Sequence, residues 1–306
     1  MNAPRVSIDT YSTSDGFEFS LVHFTSEKIA SDDVVIYIHG NGSANALKDV
    51  RKMNAMASRF AENNIDFIVA NNRGSNYIEQ HKQKKGDFVT KVFTGMAYEK
   101  ISDSQYDIDG MLQYAVNKGH KNIYLLGAST GANKIAVYDK YTSTKPEEFK
   151  GYIFAAGGDD IGLRRKLLGD RLDNSLEVIR KKVEDGNGEG LVDASIYPTK
   201  HPLSYGSLLE MLEELSDYNV FNYHTATTGQ AAFKTLKQVK HPSLFIYGSN
   251  DDTTYVDVGT AVSHLKNELS VDSNDFSVIE GADHNFKGYD DTLVDEIVRW
   301  ILRIGT

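Results

Sequence analysis

YLLGASTGANKIAVYDKY, residues 124–141, changes its periodicity halfway, and the serine at that change decides how the chain reads. Ile123 through Leu126 form an apolar and aromatic run that ends at Gly127. Beyond Gly131 the pattern turns helical, with Ile135, Ala136 and Tyr138 recurring at three- and four-residue steps. Ser129 therefore stands where a strand turns abruptly into a helix, with a glycine two residues away on each side. Small neighbours permit the tight turn, the turn exposes Oγ, and the helix N-terminus aims backbone N–H groups at developing negative charge. Such a serine is a candidate nucleophile, and the remainder of the chain must supply a base, an acid and an oxyanion hole.

The elements around it alternate. VSIDTYSTSDGFEFSLVHF reads as two strands joined at Asp15-Gly16, a hairpin-type turn. A strand from Val34 to Ile38 breaks at His39-Gly40. A helix from about Ala46 to Glu62 carries Val50, Met53, Ala57 and Phe60 on one face. IDFIVANNRG supplies the next strand, a continuous apolar run suited to a parallel strand covered on both sides. A helix over 103–118, a strand from Tyr152 to Ala155, strands at 243–248 and 276–281, and a last helix from Asp290 to Leu302 follow. Strands alternating with helices predict a mostly parallel sheet with helices on both faces.

The alternation fails between about 158 and 240, where two helical segments flank the Gly- and Pro-containing stretch GNGEGLVDASIYPTKHPL. LRRKLLGDRLDNSLEVIRKKVEDG and SYGSLLEMLEELSDY are those segments. The expectation is a core of residues 1–157 and 241–306 interrupted by an inserted helical cap at 158–240. Tyr218, Phe221 and Tyr223, set among polar residues, are its candidate substrate-pocket wall.

Composition limits the rest. A chain of 306 residues can bury a sizeable core in one large domain, or one domain with an insertion. Its net charge of −10 argues against a nucleic-acid groove or an anionic membrane surface. Lys82, Lys84 and Lys85, near His81, read as a solvated loop. No apolar run reaches membrane-spanning length, and MNAPRVSIDTYS lacks the apolar region of a signal peptide, so a cytoplasmic location is expected. The absence of cysteine excludes thiolate metal sites and cysteine catalysis. Neither a metal nor a cofactor is expected, and a homodimer is compatible with the chain.

The base is chosen by context among nine histidines. His284, in IEGADHNF, lies just beyond the last strand and can swing over the strand ends. His39 sits in HGNG and suits shaping of an oxyanion loop; His201 and His241 precede prolines. His23 and His224 stay open, with a structural role as the plain reading of each. For the acid, LFIYGSNDDTTY offers Asp251 and Asp252 after the 243–248 strand, and Asp251 is preferred. The order Ser129, Asp251, His284 is the one expected when successive sheet loops deliver a triad. The oxyanion donors expected are the backbone N–H groups of Thr130 and Asn41. A phosphate-cradling role for HGNGSAN lacks the G-x-x-x-x-G-K-[ST] pattern and the spacing of a dinucleotide fingerprint.

VVIYIHGNG, VANNRGSN, LLGASTGA, IYGSNDD and EGADHNF together resemble the alpha/beta-hydrolase superfamily. The resemblance spans roughly 30–157 and 240–305. It implies an eight-stranded sheet with Ser129 after strand five, Asp251 after strand seven and His284 after strand eight. Arg73-Gly74 matches a pair that such proteins carry after strand four, where it holds loops. The GASTG turn, with AYEKISDSQYDIDGMLQY ahead of it, is similar to a subgroup that includes fungal siderophore esterases. That subgroup commonly has histidine where this chain has Ala128.

The function expected is serine-dependent hydrolysis of an ester on a small acyl substrate, through an acyl-enzyme. The same residues would serve an amidase or peptidase, a thioesterase, an acyltransferase or a carbon–carbon bond hydrolase. A binding protein on this fold is the non-enzymatic alternative, distinguished by loss of a triad member. A dehydrogenase is disfavoured by the missing dinucleotide fingerprint.

Overall fold

Successive buried side chains along the central strands point to opposite faces, and this alternation splits the core into two layers. The computed structural model describes residues 4–26, 31–270 and 272–305; the first three residues of the N-terminal stretch read above lie outside them. The strands are β1 (Arg5–Ser12), β2 (Glu18–Thr25), β3 (Asp33–Ile38), β4 (Ile65–Ala70), β5 (Glu79–Lys85), β6 (Phe88–Thr94), β7 (Asn122–Ala128), β8 (Phe149–Ala155), β9 (Ser243–Gly248) and β10 (Asn274–Ile279). The helices are α1 (Val50–Glu62), α2 (Ser104–Asn117), α3 (Thr130–Tyr141), α4 (Asp160–Leu168), α5 (Leu172–Glu184), α6 (Tyr205–Glu210), α7 (Tyr223–Ala226), α8 (Val258–Glu268) and α9 (Asp290–Ile304).

Eight strands form one sheet in the order β1-β2-β4-β3-β7-β8-β9-β10. β1 and β2 are antiparallel, β2 meets β4 antiparallel, and every pairing from β4 to β10 is parallel. This is alpha/beta-hydrolase topology. On β3, Val34, Ile36 and Ile38 join one buried cluster, while Val35 joins the other. On β7, Ile123 and Leu125 face the first layer and Tyr124 and Leu126 the second. Period-two side chains on a doubly covered sheet require both faces to be apolar, which is why these strands read as unbroken runs.

Helices α1 and α9 cover one face. Met53, Met56, Ala57 and Phe60 of α1 are buried there, with Leu293, Val294, Ile297 and Ile301 of α9 in the same cluster. Asp49 caps α1 by accepting from the Lys52 N–H, which sets its start later than Ala46. Helices α2, α3 and α8 cover the other face together with the 158–240 block. Helix α8 had no counterpart in the sequence reading, although Val258, Ala261, Val262 and Leu265 are buried at helical spacing.

Two segments differ from expectation. The stretch around Lys82, Lys84 and Lys85 is not a loop but strand β5 of an antiparallel hairpin with β6. The hairpin is tied down by polar contacts: Lys84 N–H donates to Gly16 C=O at 2.7 Å, and Gln83 Nε2 to Asp15 C=O at 2.9 Å. SYGSLLEMLEELSDY is helical only over Tyr205–Glu210. Beyond that point the carbonyls have partners outside the helix. The Ser216 hydroxyl donates to Glu210 C=O, Arg165 to Leu212 C=O, and Asn219 to Glu214 C=O. Nearby side chains and one distant arginine there take the place of the i→i+4 ladder. Among the described residues, no helix is long and apolar enough to cross a membrane.

Candidate active site

The C-terminal ends of β3, β7, β8, β9 and β10 lie side by side, so the loops leaving them converge. Ser129 leaves β7 with φ 56° and ψ −130°, a conformation that a non-glycine residue seldom adopts and that a surrounding structure must enforce. The enforcement comes from the close approach of strand and helix. A Cβ on Gly127 would fall 2.3 Å from the Gly131 carbonyl oxygen, and one on Gly131 would fall 2.1 Å from that of Ile38. Both glycines are therefore obligatory, and together they turn the serine outward.

The loop after β9 carries Asp251, the candidate acid. Asn250 N–H donates to Ala282 C=O and Ser249 N–H to Ile279 C=O, both at 2.9 Å, so the loops after β9 and β10 are laced together. This lacing places His284 between the other two groups. Its Nε2 is 3.0 Å from Ser129 Oγ, and its Nδ1 is 3.0 Å from each carboxylate oxygen of Asp251. Asp251 is fully shielded, whereas His284 keeps about a fifth of its side chain open. Asp252, the alternative acid, is exposed. His224 does not reach Ser129; it pairs with buried Asp159 at 2.8 Å.

Burial pulls the His284 imidazolium down in pKa, but the hydrogen bond and charge of Asp251 outweigh it, leaving the group above the ordinary histidine value. A carboxylate on Nδ1 leaves Nε2 as the atom that exchanges a proton with the serine.

Thr253 was missed by the sequence reading. Its hydroxyl and its backbone N–H both donate to Asp251 Oδ1, at 2.8 and 2.9 Å, and the hydroxyl lies 3.1 Å from His284 Nδ1. The signal available was Asp251-Asp252-Thr253 itself, a spacing at which an aspartate commonly accepts from the backbone two residues on. Asp160 was missed as well, and its Oδ2 accepts from the Thr130 hydroxyl at 2.9 Å.

The HGNG loop lies against the serine. A Cβ on Gly40 would stand 2.9 Å from the Thr130 nitrogen and 3.0 Å from Ser129 Cβ. Its neighbour Asn41 keeps both side-chain amide atoms shielded and without a hydrogen-bond partner. His39 holds this loop. Its Nδ1–H donates to Gly40 C=O at 2.9 Å, and the Ser75 hydroxyl donates to its Nε2 at 2.8 Å. Burial, aided by the Lys134 charge, pushes His39 down to about 3, so it is a neutral strut near neutral pH. Arg73 is a loop holder too, paired with Asp107 at 2.9 Å and Asp15 at 3.2 Å. Beneath the loop Lys134 pairs with Glu99 at 2.6 Å, both fully buried.

Tyr218, Phe221 and Tyr223 are each buried to within 1% of full coverage. The Phe221 ring packs over Gly157 and beside Phe154 and Phe245. The Tyr223 hydroxyl meets that of Tyr247 at 2.6 Å. They form a layer beneath the loop after β8, with no open face. A cleft of about 670 Å³ between the β5–β6 hairpin and the end of α5 includes Arg73, Glu99 and Tyr106 but none of Ser129, Asp251 and His284.

The model of the family described as "Protein of unknown function (DUF1749)" matches residues 87–303. The chain belongs to this family. No curated protein matches the sequence. The DUF1749 chain is similar in fold to Est1E from Butyrivibrio proteoclasticus, solved with ferulic acid bound, at 15% identity and a TM-score of 0.61 over 96% of this chain and 98% of that one. It is similar to DcsB, solved with a substrate analogue, at 12% identity and a TM-score of 0.66 over 98% and 99%. XC6422 from Xanthomonas campestris, described as an a/b serine hydrolase without lid, matches at 12% identity and a TM-score of 0.55 over 98% and 94%. At such identities the likeness is one of fold.

Proposed function

We propose that this DUF1749 chain is a serine hydrolase that cleaves a carboxylic ester of a small acyl substrate through an acyl-enzyme. The observation that carries the reading is the hydrogen-bonded line from Ser129 Oγ through His284 to Asp251, ending on a serine held at positive φ. His284 Nε2 takes the Ser129 proton as Oγ adds to the ester carbonyl. Backbone N–H groups of Thr130 and Asn41 hold the oxyanion, each contributing on the order of 3 kcal/mol. The imidazolium then gives its proton to the departing alkoxide. Water adds to the acyl-enzyme with His284 again as base, and the acid is released as Ser129 regains its proton. Asp251 keeps Nδ1 protonated throughout.

The 158–240 block is proposed as the cap over this site. Supporting it, the Asp160 carboxylate bonds to Thr130, Asp159 N–H donates to Thr253 C=O at 2.9 Å, and α7 is anchored on Asp159 through His224. The start of the block, Asp159 and Asp160, thus touches residues beside the nucleophile and the acid, and α7 is fastened to that start. The likeness of the GASTG turn to siderophore esterases fits ester cleavage but names no substrate.

A fluorophosphonate probe tests the mechanism. Wild type should be labelled at Ser129 alone, and Ser129→Ala should lose labelling and turnover of 4-nitrophenyl esters while keeping its far-ultraviolet circular dichroism. Labelling elsewhere, or full turnover by the alanine variant, refutes the assignment.

A further inference from the structure

At the end of the sheet opposite Ser129, three side chains meet that take no part in the proposed chemistry. His23 lies on β2, Asp66 is the second residue of β4, and His120 follows α2. All three are at least nine-tenths buried, with exposures of 4%, 5% and 5%. The Nε2 atoms of both histidines face one carboxylate oxygen, Asp66 Oδ2, at 3.5 Å from His23 and 3.8 Å from His120. Neither Nε2 has a hydrogen-bond partner among the described residues.

The outer contacts determine what those Nε2 atoms carry. His120 Nδ1–H donates to Ser31 C=O at 3.1 Å, which leaves its Nε2 as a lone pair in the neutral ring. His23 Nδ1 lies 3.4 Å from the Tyr114 hydroxyl, which itself donates to Asp9 at 3.3 Å. With Nδ1 of His23 on the phenol side, its Nε2 is turned, like that of His120, toward Asp66. Asp66 Oδ1 accepts the Ser26 N–H at 3.0 Å, which turns Oδ2 toward the two rings. Two imidazole nitrogens and a carboxylate oxygen thus converge without a hydrogen bond among them, a donor set that a cation would satisfy. Among the described residues no lysine or arginine pairs with Asp66, and the ionisable groups within 4.0 Å of it are the two histidines. A buried carboxylate without such a partner carries a desolvation cost of several kcal/mol.

The spacing discriminates between a proton and a metal ion. At 3.5 and 3.8 Å the nitrogen–oxygen separations are too long for hydrogen bonds. Bonds of roughly 2.0–2.2 Å from zinc to nitrogen and oxygen span tetrahedral edges of about 3.3–3.6 Å. The two nitrogen–oxygen edges are within a few tenths of an ångström of that span, and all three donor atoms lie within 4.8 Å of one another. The Nδ1 contacts also have the form that orients metal-bound imidazoles, with a backbone carbonyl on one ring and a phenol on the other. Two imidazoles with one carboxylate suit a divalent transition ion and disfavour calcium or magnesium, which take oxygen ligands.

We propose that His23, Asp66 and His120 bind one divalent ion of the zinc type. This site is structural. It fastens β2 and β4 to the turn after α2, and it is independent of the proposed hydrolysis at the other end of the sheet.

The test uses the full-length chain, free of any affinity tag, stripped with EDTA and dialysed. Calorimetric titration with zinc sulfate should show one equivalent bound with a Kd in the micromolar range or tighter, and saturation should raise Tm by several degrees. His120→Gln and Asp66→Asn should each weaken binding at least tenfold while leaving fluorophosphonate labelling of Ser129 in place. Crystals grown with zinc, measured at the zinc edge, should place an anomalous peak among the three side chains, a readout that stands even where a variant fails to fold. Absence of stoichiometric binding by wild type, undiminished binding in a folded variant, or a peak elsewhere overturns the site.

Discussion

Asp251 and Asp252 are neighbours with opposite surroundings, and the contrast makes the acid assignment testable at the level of one residue. Asp251 is buried with both oxygens 3.0 Å from the imidazole nitrogen, while Asp252 is exposed and adds only a distant charge that raises the His284 pKa. Asp251→Asn should lower kcat by a factor on the order of 10⁴, because the amide permits the unproductive tautomer. Asp252→Asn should retain turnover. Comparable rates for wild type and the Asp251 variant, with matching circular dichroism, would reverse the assignment. The pH profile follows from the same geometry. The base must be neutral to accept the serine proton, so kcat/KM falls as pH drops through the His284 pKa. That pKa is raised, so the acid limb should lie above the ordinary histidine value of about 6.5. Asp252→Asn removes one contribution that raises it and should move the limb toward lower pH. A limb below the ordinary value in wild type would mean that the Asp251 charge is not acting on His284.

At the scale of elements, what the sequence disclosed depended on whether burial wrote a period into it. Strands β3, β4, β7 and β9 are covered on both faces, and their apolar runs were read directly. The β5–β6 hairpin lies mostly open to solvent, so no buried face writes a period into it: β5 is EQHKQKK, and Phe88, Val89 and Phe93 of β6 stand exposed. Helix α8 carries apolar residues at helical spacing, Val258, Ala261, Val262 and Leu265, so burial did write a period there. The region after Glu210 failed for a different reason: LLEMLEEL has helical spacing, yet the Leu212 carbonyl bonds to Arg165 and that of Glu214 to the Asn219 side chain. Positions of Ser129, Asp251 and His284 were legible because each follows a strand that was itself legible. Thr253 and Asp160 contribute through hydrogen bonds to residues far away in sequence or to a backbone turn, and such contacts leave no periodicity to read.

For the whole molecule, the packing of the 158–240 block decides whether it is a separable cap or part of the fold. Ile161, Leu176, Ile179, Leu208, Phe221 and Phe233 lie in the same buried cluster as Ile36, Leu125, Phe154 and Phe245 of the central sheet. No second cluster confined to the block exists among the described residues. Each such side chain contributes roughly 1.5–3 kcal/mol by leaving water, so the block supplies a large part of the covering of one sheet face. A domain of this size is stable by only about 5–15 kcal/mol in total, which a loss of several such residues exceeds. Replacing residues 160–238 with a short Gly-Ser linker should therefore give a chain without a cooperative thermal transition and without Ser129 labelling, whereas the intact chain should melt in one transition. A linker variant that melted cooperatively and retained labelling would show instead that the sheet face is covered without the block. The block would then be an independent lid, and substrate selection could be exchanged by exchanging it alone.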